Sequence, residues 1–357
     1  MKYIKFAVHC KPIPTSFYSF TTRFIMKFIH IDKENSIAFY QQIMSSIEKA
    51  IKEKKLLRND KLPSVNKICI EHKISRDTVL LAYEKLKKKG VVKSIRAKGY
   101  YVRTEDFNFD ERYFLLFDEL NIFKEDLLNS FLKGLAGKVQ VDTFFHHFDP
   151  GMFSKLISDN MGNYSKYIIL AANVEGVEES IAKLPKNDVY IIDQMRESLK
   201  IYSGIYQNFA ENIYTAMESV LDLLQKYNRY ILIFPGQKEP YDMVTGFEKF
   251  CREHGKSYSV IPDLKNFKLR KGQVFLIPND RQLVETIEKC NHHHLVIGEE
   301  IGIISYNETP LKKVVQNGIT TLSTDFSEMG KKLAQMVLKN ERKLTENKCT
   351  LNLRKSL

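Results

Sequence analysis

The stretch that decides the fold of the N-terminal part is residues 61–103, KLPSVNKICIEHKISRDTVLLAYEKLKKKGVVKSIRAKGYYVR. Ser64 is placed to cap a short helix. Ser75 is placed to cap a second helix, whose first turn carries Asp77, where a negative charge suits the helix dipole. Gly90 ends that helix, and two short strands follow around a basic turn. The pattern predicts a helix–turn–helix followed by a β-hairpin.

One more helix is predicted before this stretch, in the segment that begins at Ser36 and that Asn59-Asp60 interrupts. Its apolar residues recur at helical spacing and form one face. Three helices and a hairpin predict a winged helix, whose third helix enters the major groove of DNA with its N-terminus first. The residues of the apolar face are Tyr40, Ile43, Met44, Ile47, Ala50 and Ile51.

The third helix and the hairpin turn supply the expected DNA contacts. Arg76 is the best candidate for a bidentate contact to guanine. The lysines and Arg96 are expected to contact phosphates, which gives affinity but little sequence preference. The full predicted set is Ser64, Asn66, Lys67, Ser75, Arg76, Asp77, Thr78, Lys85, Arg96, Lys98 and Gly99.

The distribution of charge agrees with this interpretation. Residues 1–105 hold 23 Lys and Arg against 9 Asp and Glu, whereas residues 106–357 hold 32 against 34. A strongly basic part joined to a nearly balanced part is typical of a polyanion-binding module attached to another domain. A lysine-rich domain that is merely soluble would show the same charge.

Several motifs of this head resemble the winged helix of GntR-family bacterial regulators. They are Lys61–Ser64, Ser75–Val79, Ala82-Tyr83 with Leu86, Gly90, and the opening Tyr40–Ile43. The resemblance covers about residues 36–103 and implies operator binding by a dimer. The sequence departs from the family at Asn66 and Leu80, where arginine is common, so the family's base preferences cannot be transferred.

Beyond the head, short apolar runs alternate with helical patterns. This alternation predicts a parallel, doubly wound sheet, and the long helix Phe209–Lys226 between two groups of units predicts two lobes with a cleft. The predicted strands are Tyr113–Phe117, Val139–Phe145, Tyr167–Leu170, Val189–Ile192, Tyr230–Phe234, Ser257–Ile261, Val274–Ile277, Leu295–Ile297 and Ile301–Tyr306. The other predicted helices are Glu125–Leu135, Phe153–Asn160, Glu178–Leu184, Asp242–His254, Gln282–Lys289 and Phe326–Leu338.

The expected fold class is therefore α/β overall, with an N-terminal α+β winged helix and a two-lobed, doubly wound domain. We expect an N-terminal extension over residues 1–30, in which Met26 is a candidate translation start. A winged-helix domain over 31–103, a linker over 104–111 and the two-lobed domain over 112–357 follow.

The two-lobed part resembles the effector domains of lactose-repressor-like regulators and periplasmic sugar-binding proteins. The motifs that carry this resemblance are Phe234–Gly236, Gly246-Phe247, Ile277–Asp280, Gly302–Leu311, Ile319–Leu322 and Met329–Lys332. The likeness is best over about residues 230–340. It implies a ligand between the lobes, at the carboxyl ends of strands.

Polar residues at those strand ends and at the crossover form the predicted effector site. Mostly neutral amides and carboxylates with an aromatic ring suit a polyhydroxyl ligand, and the scarcity of Arg and Lys favours a free monosaccharide over a sugar phosphate. Asn and Asp after a strand are also common turn residues. The predicted set is Asn121, Phe123, Asn173, Asp193, Gln207, Asn208, Gln237, Lys238, Asn279, Asn307 and Glu308.

Other classes of protein are less well supported by the sequence. No phosphate-binding loop, dinucleotide fingerprint or catalytic cluster is present, so we expect no enzyme activity and no cofactor. The five scattered cysteines and the histidine runs predict neither disulfides nor a metal site, and a reducing, cytoplasmic location is expected without membrane insertion. The alternatives are a sugar-converting enzyme with an appended DNA-binding head, and a sugar-binding transport component.

Overall fold

The computed structural model describes residues 28–357 apart from residues 36, 106–110 and 237. The chain divides into two compact units: residues up to Glu111 together with Gly162–Tyr164, and Arg112–Met161 together with Ser165–Leu357. The predicted N-terminal extension, with the candidate start Met26, lies almost wholly outside the described residues, as does most of the predicted linker. The two units are described separately below.

In its described residues, the first unit contains three helices and a two-stranded antiparallel sheet, as the sequence predicts. Apolar faces of all three helices and residues of the hairpin form one core. Tyr83 lies in its centre and donates its hydroxyl to the carbonyl of Pro63 at 2.6 Å. The elements are α1 (Phe39–Lys52), α2 (Val65–His72), α3 (Arg76–Lys88), β1 (Val92–Ile95) and β2 (Gly99–Val102).

The hairpin is attached to the chain that precedes α2. The backbone N–H of Leu62 donates to the carbonyl of Tyr100, and that of Asn59 to the carbonyl of Val102, both at 2.9 Å. Lys61 forms an antiparallel bridge with Tyr101. This hairpin is the wing of the winged helix. Backbone hydrogen bonds hold it along the edge of β2, and these bonds do not involve its turn at residues 95–99.

The second unit is built of two lobes, each with a six-stranded sheet. In the first lobe the strand order is β13-β7-β6-β5-β3-β4, and the pairs β13–β7, β7–β6, β6–β5 and β5–β3 are parallel. Its elements in chain order are β3 (Glu111–Phe117), α4 (Ile122–Leu135), β4 (Val139–Phe145), α5 (Pro150–Asn160), β5 (Lys166–Ile169), α6 (Val177–Ile181), β6 (Val189–Asp193) and β7 (Ser203–Tyr206).

The second lobe has the strand order β14-β12-β11-β10-β8-β9, in which only β14 runs antiparallel to its neighbour. Buried apolar clusters cover both faces of this sheet, as a parallel sheet requires. Its elements are α7 (Phe209–Ser219), α8 (Leu221–Leu224), β8 (Arg229–Ile233), α9 (Asp242–Glu253), β9 (Ser257–Ile261), β10 (Gln273–Ile277), α10 (Asp280–His292), β11 (Ile301–Tyr306) and β12 (Thr320–Thr324).

The chain then returns to the first lobe through α11 (Phe326–Leu338) and β13 (Leu344–Glu346), and ends in the second with β14 (Cys349–Asn352). The helix α11 packs closely on α4, since a Cβ added at Gly330 would lie 2.4 Å from the carbonyl oxygen of Leu127. The chain therefore passes between the lobes three times, in crossovers that join β7 to α7, β12 to α11 and β13 to β14.

Asn347 joins these crossovers to one another. Its backbone N–H donates to the carbonyl of Tyr206 at 2.8 Å. Its side-chain amide donates to Thr324 Oγ1 at 2.8 Å and to the carbonyl of Asp325 at 2.9 Å. The residue is 1% exposed. One buried amide thus ties together the places where the chain passes between the lobes.

The predicted fold class is confirmed, and two predicted elements are wrong. Leu295–Ile297 is not a strand: only Ile297 forms an isolated bridge, and Gly298, at φ +90°, turns the chain directly afterwards. The predicted helix Phe209–Lys226 is two helices, because Val220 leaves the helical region with φ −122° and ψ 25°. No helix in the described ranges is long and apolar enough to cross a membrane.

Candidate functional site

The first turn of α3 is the most prominent polar feature of the winged helix. Ser75 caps the helix by accepting the N–H of Thr78 at 3.2 Å, and the two hydroxyl oxygens lie 2.7 Å apart. Ser64 caps α2 in the same way, accepting from Lys67 at 3.3 Å. Both caps fix the start of a helix whose unpaired N–H groups suit an anion such as a phosphate.

The predicted DNA contacts lie at the surface of the winged helix. None of the eleven is buried, and Lys67, Thr78 and Gly99 are partly covered while the others are exposed. The ammonium of Lys85 lies 5.3 Å from the ring centroid of Tyr40. The positions are therefore accessible, and their DNA contacts stay predictions.

Arg76 has a neighbour that orients it. Its guanidinium donates to Asn66 Oδ1 at 3.1 Å, so the helix α2 supports the side chain that is the best guanine-reading candidate on α3. A guanidinium has five N–H donors, and one bond leaves an edge free for a base. The Asn66 position, where the sequence departs from the family pattern, is thus coupled to Arg76.

The turn of the wing carries Arg96 and Lys98, both exposed. The N–H of Lys98 donates to the carbonyl of Ile95 at 2.9 Å and closes the turn. Ala97 and Gly99 take positive φ values of 60° and 107°. Because the wing is tied at its other end, this tight turn presents two cations at a defined place, as a phosphate contact requires.

In the second unit, both lobes line a cleft of about 620 Å³. This volume lies in the range of small-molecule sites. Its floor and walls combine charged, amide and aromatic side chains. The first lobe and the first crossover provide Asp118, Glu119, Asn121, Phe123, Lys124, Phe148, Asp193, Gln194, Gln207 and Phe209. The second lobe and the second crossover provide Pro235, Lys238, Glu239, Pro240, Met243, Pro278, Asn279, Asp280, Arg281, Gln282, Tyr306, Asn307 and Phe326.

Seven of the predicted effector residues line this cleft together. Both lobes and the crossover contribute, which is the arrangement expected from strand ends that face one another. Ligand contact by these residues stays a prediction. They are Asn121, Phe123, Asp193, Gln207, Lys238, Asn279 and Asn307.

Three of the predicted asparagines also cap helices. Asn121 Oδ1 accepts from the N–H of Lys124 at 3.1 Å, and Asn279 Oδ1 from that of Arg281 at 2.9 Å. Asn208 Oδ1 accepts from the N–H of Glu211 at 3.4 Å, and this residue is not part of the cleft lining. Helix capping is the competing reason why asparagine stands after a strand.

The remaining predicted residues lie elsewhere or are not described. Asn173 donates its amide to the backbone carbonyl of Glu239 at 2.6 Å, across the cleft and outside its lining. Glu308 lines a smaller pocket of about 300 Å³. Its Oε2 pairs with Arg354 at 2.9 Å and accepts from Asn352 at 3.2 Å, whereas its Oε1 is buried without a hydrogen-bond partner among the described residues. Gln237 lies outside the described residues.

The sequence reasoning missed a buried ion pair directly after β3. Lys124, at the start of α4, pairs with Asp118, and both residues are buried and line the cleft. Asp118 stands at the end of a buried strand, as Asp193 does. The expectation that polar residues at strand ends line the cleft, which predicted Asp193, was therefore sufficient to predict Asp118.

A second missed feature is a chain of hydrogen bonds at the crossover. Tyr306 donates its hydroxyl to Gln207 Oε1 at 3.3 Å, and Gln207 Nε2 donates to Asp193 Oδ1 at 2.5 Å. Asp193 is 5% exposed and takes φ +68°. Burial raises the pKa of this carboxyl above its ordinary value, although the Lys124 ammonium and the Gln207 hydrogen bond lower it.

Two buried side chains position the lining from behind. Lys312, 3% exposed, donates to the carbonyls of Tyr306 and Asn307 at 2.8 Å and pairs with Asp280 at 2.7 Å. His146 accepts the N–H of Phe148 on Nδ1 at 3.2 Å and lies 3.0 Å from a backbone carbonyl through Nε2. Burial lowers the pKa of His146 and of Lys312.

Contacts also bridge the two lobes across the cleft. Lys238 of the second lobe pairs with Glu119 of the first at 2.5 Å, and its ammonium lies 4.9 Å from the ring centroid of Phe148. With the bond from Asn173 to the Glu239 carbonyl, these contacts form what we call the cross-cleft bridge. The structure therefore has the lobes joined at the cleft as well as at the crossovers.

Comparison with known proteins gives two family matches, each to a separate part of the chain. Residues 39–102 match the family model described as bacterial regulatory proteins, gntR family. Residues 223–356 match the family model described as a periplasmic binding protein-like domain. The first match covers the winged helix, and the second covers most of the second lobe with the last two crossovers.

A curated relative is similar to the head alone. The HTH-type transcriptional regulator YydK of Bacillus subtilis is 36% identical over 64 residues, which are 18% of this chain and 27% of that protein. The chain therefore spans about a quarter of the length of this relative.

Solved structures are similar over the two-lobed part. The trehalose repressor from Escherichia coli gives a TM-score of 0.58 at 14% identity, covering 68% of this chain and 100% of that one. A dimeric Lac repressor gives 0.57 at 13% identity, covering 69% and 97%. At these identities the likeness shows the fold. The chain thus joins a winged helix that matches the gntR family model to a two-lobed part with the fold of these repressors, and residues 223–356 of that part match the periplasmic binding protein-like model.

Proposed function

We propose that the protein is a sequence-specific DNA-binding transcriptional regulator whose operator affinity is controlled by a small carbohydrate in the cleft. The observation that carries this proposal is one chain that combines an exposed, capped reading helix with a polar cleft shared by two lobes. The similar proteins are named as a transcriptional regulator and as a trehalose repressor, which supports both halves of the proposal.

The lining of the cleft supports a polyhydroxyl ligand. A hydroxyl group both donates and accepts, and the cleft offers amides beside carboxylates. Phe123, Phe148, Phe209 and Phe326 supply rings on which the apolar face of a sugar can stack. A free monosaccharide remains our first choice because the carboxylates of the lining oppose a phosphate group.

We further propose that the protein acts as a homodimer on a palindromic operator. Two winged helices are needed to read two half-sites. The second lobe exposes Leu311 and Val314 by 72% and 71%, and exposed apolar side chains are typical of contact surfaces. One similar structure is described as a dimeric repressor. Analytical ultracentrifugation with and without operator DNA tests this assembly.

The cross-cleft bridge suggests how ligand and DNA are coupled. A ligand that prefers the bridged arrangement of the lobes shifts their equilibrium by its difference in affinity for the two arrangements. The crossovers tied by Asn347 are then the elements that change conformation. The winged helices of the dimer would respond to this change through their attachment to the lobes.

The test selects DNA sequences from a random pool and then adds free and phosphorylated monosaccharides to the protein–DNA complex. We expect one or more free sugars to change operator affinity at least tenfold, with Asn307→Ala weakening the response. If DNA is bound but no sugar in the panel binds or has any effect, the carbohydrate part of the proposal is wrong and the DNA-binding part remains. If no sequence is enriched, the DNA-binding part is wrong.

A further inference from the structure

The charges that line the cleft are unequal. Five carboxylates face three cationic side chains, which gives the lining a formal charge of −2. A site of this sign attracts cations and repels anions. The carboxylates are those of Asp118, Glu119, Asp193, Glu239 and Asp280, and the cations are Lys124, Lys238 and Arg281.

Three of these carboxylates already have a cation of the protein. Asp118 pairs with Lys124 and Glu119 with Lys238. Asp280 pairs at 2.7 Å with Lys312, which lies behind the lining. Their charges are balanced within the fold and make little demand on a ligand.

The other two carboxylates, Asp193 and Glu239, have no ion pair among the described residues, and of these two only Asp193 is buried. The recorded side-chain hydrogen bond of Asp193 is the one that Gln207 donates to Oδ1. Gln207 in turn is held by the Tyr306 hydroxyl, so that the hydroxyl proton is already used. Asp193 lines the cleft, and its other oxygen, Oδ2, accepts no hydrogen bond from the described part of the chain. The Lys124 ammonium is near enough to lower the pKa of Asp193, but its ion pair is with Asp118. A buried carboxylate with no cation in direct contact is costly, and a ligand that brings one is favoured.

Other lining atoms also lack donors. Gln282 Oε1 and Asn307 Oδ1 are buried without a hydrogen-bond partner among the described residues. Aromatic rings surround the same space, and two of them, Phe209 and Tyr306, lie 5.9 Å apart by their centroids. Such rings favour a cation over their faces. The free acceptors need a donor, and the negative lining and the aromatic walls favour a donor group that is positively charged.

We propose that the cleft binds an amino sugar of the hexosamine class, with its ammonium group on the Asp193 carboxylate and its hydroxyls on the amides of the lining. This inference rests on the proposed function and narrows its ligand class. An N-acetylated or phosphorylated sugar lacks the positive charge or adds a negative one, and it should bind less well. A volume of about 620 Å³ leaves room for a second sugar ring beside the first.

The experiment measures binding to the full-length protein by calorimetry at several pH values from slightly acidic to neutral, because the amine must be protonated while the Asp193 carboxyl, whose pKa burial raises, must be charged. The probes are glucosamine, galactosamine and mannosamine, each beside its neutral hexose and its N-acetyl derivative. We expect at least one hexosamine to bind tenfold or more tightly than its neutral hexose. Asp193→Asn keeps the size of the side chain and should abolish that ratio, whereas Asp222→Asn, on the exposed surface of α8, should preserve it.

The outcomes separate this inference from the proposed function. A neutral hexose that binds as tightly as its hexosamine overturns the inference and leaves the carbohydrate regulator intact. A preference for the amine that survives in Asp193→Asn overturns the assigned position of the ammonium. If neither free nor aminated sugars bind while the operator is still bound, the carbohydrate part of the proposed function fails together with the inference. The wild-type ratio decides the ligand class even if a variant does not fold.

Discussion

Replacing Asn173 by alanine should loosen the cross-cleft bridge without touching the lining of the cleft. The Asn173 amide donates to the backbone carbonyl of Glu239 at 2.6 Å, and this bond joins the two lobes. Asn173 is exposed, so water can replace the lost partner. An intramolecular hydrogen bond contributes about 0.5–1.5 kcal/mol net, and exposure places this one in the lower half of that range.

The expected effect follows from that magnitude. A loss of about 0.5–1 kcal/mol lowers the ratio of bridged to unbridged molecules by a factor of about 2–5. A ligand that binds the bridged arrangement should lose affinity by up to the same factor, since part of its binding energy is then used to restore that arrangement.

Fluorescence energy transfer between labels on the lobes measures this ratio without any ligand. Exposed Ile201 in the first lobe and Val284 in the second are suitable positions for labels introduced as unnatural amino acids. Asn266→Ala, a change at an exposed residue of the second lobe outside the cleft lining, is the matched control. If Asn173→Ala and wild type give the same distribution of distances, the bond between the lobes does not hold them together and the coupling mechanism loses its support.

Three further changes test other parts of the molecule. Arg76→Ala should weaken operator binding by about 1–3 kcal/mol and relax the sequence preference at one base pair. Lys98→Ala should weaken binding to all sequences and lower the slope of log affinity against log salt concentration by about 1. Binding isotherms at several salt concentrations and on mutated operators distinguish the two effects. Gly330→Ala places a Cβ 2.4 Å from a backbone carbonyl of α4 and should destabilise the second unit by about 1–3 kcal/mol, seen as a melting temperature several degrees lower. Gly151→Ala, at an exposed helix start, brings its Cβ to 3.2 Å from a side-chain oxygen of Asp149, which can shift, so it should lower the melting temperature much less. Burial raises the pKa of Asp193, so its charged form destabilises the fold as pH rises through that pKa. Asp193→Asn should therefore be more stable to unfolding than wild type at neutral pH and lose this advantage in acid. Unfolding curves in which variant and wild type are equally stable at both pH values would contradict this.

Regular elements with a complete apolar pattern could be predicted from the sequence almost to the residue. The helix Phe326–Leu338 and the strand Ser257–Ile261 have the predicted bounds. Their burial follows from local periodicity alone. The break at Val220 could not be predicted in this way, because the apolar spacing continues through it while the backbone does not.

The short strands that complete each sheet could not be predicted either. Strand β13 has three residues and pairs with β7, about 140 residues earlier in the chain. Strand β14 is short, and it pairs with β12 only after the chain has crossed back to the second lobe. Pairing of this kind depends on contacts between distant segments, and a short segment carries too little periodicity to show it.

The candidate site was partly predictable for a topological reason. Parallel strands end at one edge of each sheet, so polar residues at strand ends, such as Asp193 and Asn307, meet in one cleft. A search for polar residues at strand ends does not predict Phe148 or Phe326, which line the cleft from a loop and from the helix α11. Nor does it separate a residue that faces the cleft from a helix cap, as Asn208 shows.

The capping bonds also decide which chemistry the cleft offers. Asn121 and Asn279 use their carbonyl oxygens to cap α4 and α10, so each has only its amide N–H groups left for a ligand. The same caps occupy backbone N–H groups at those helix starts, which are the groups that would otherwise bind a phosphate. The acceptors of the cleft are then its carboxylates together with the amide oxygens Gln282 Oε1 and Asn307 Oδ1, and Asp193 is the buried carboxylate that makes no ion pair among the described residues. Amide donors suit hydroxyl oxygens, and an unpaired carboxylate suits an ammonium. Both features follow from how the helices begin and how the chain crosses between the lobes. The preference that we propose, for an uncharged or cationic sugar over a phosphorylated one, therefore has its physical reason in the fold.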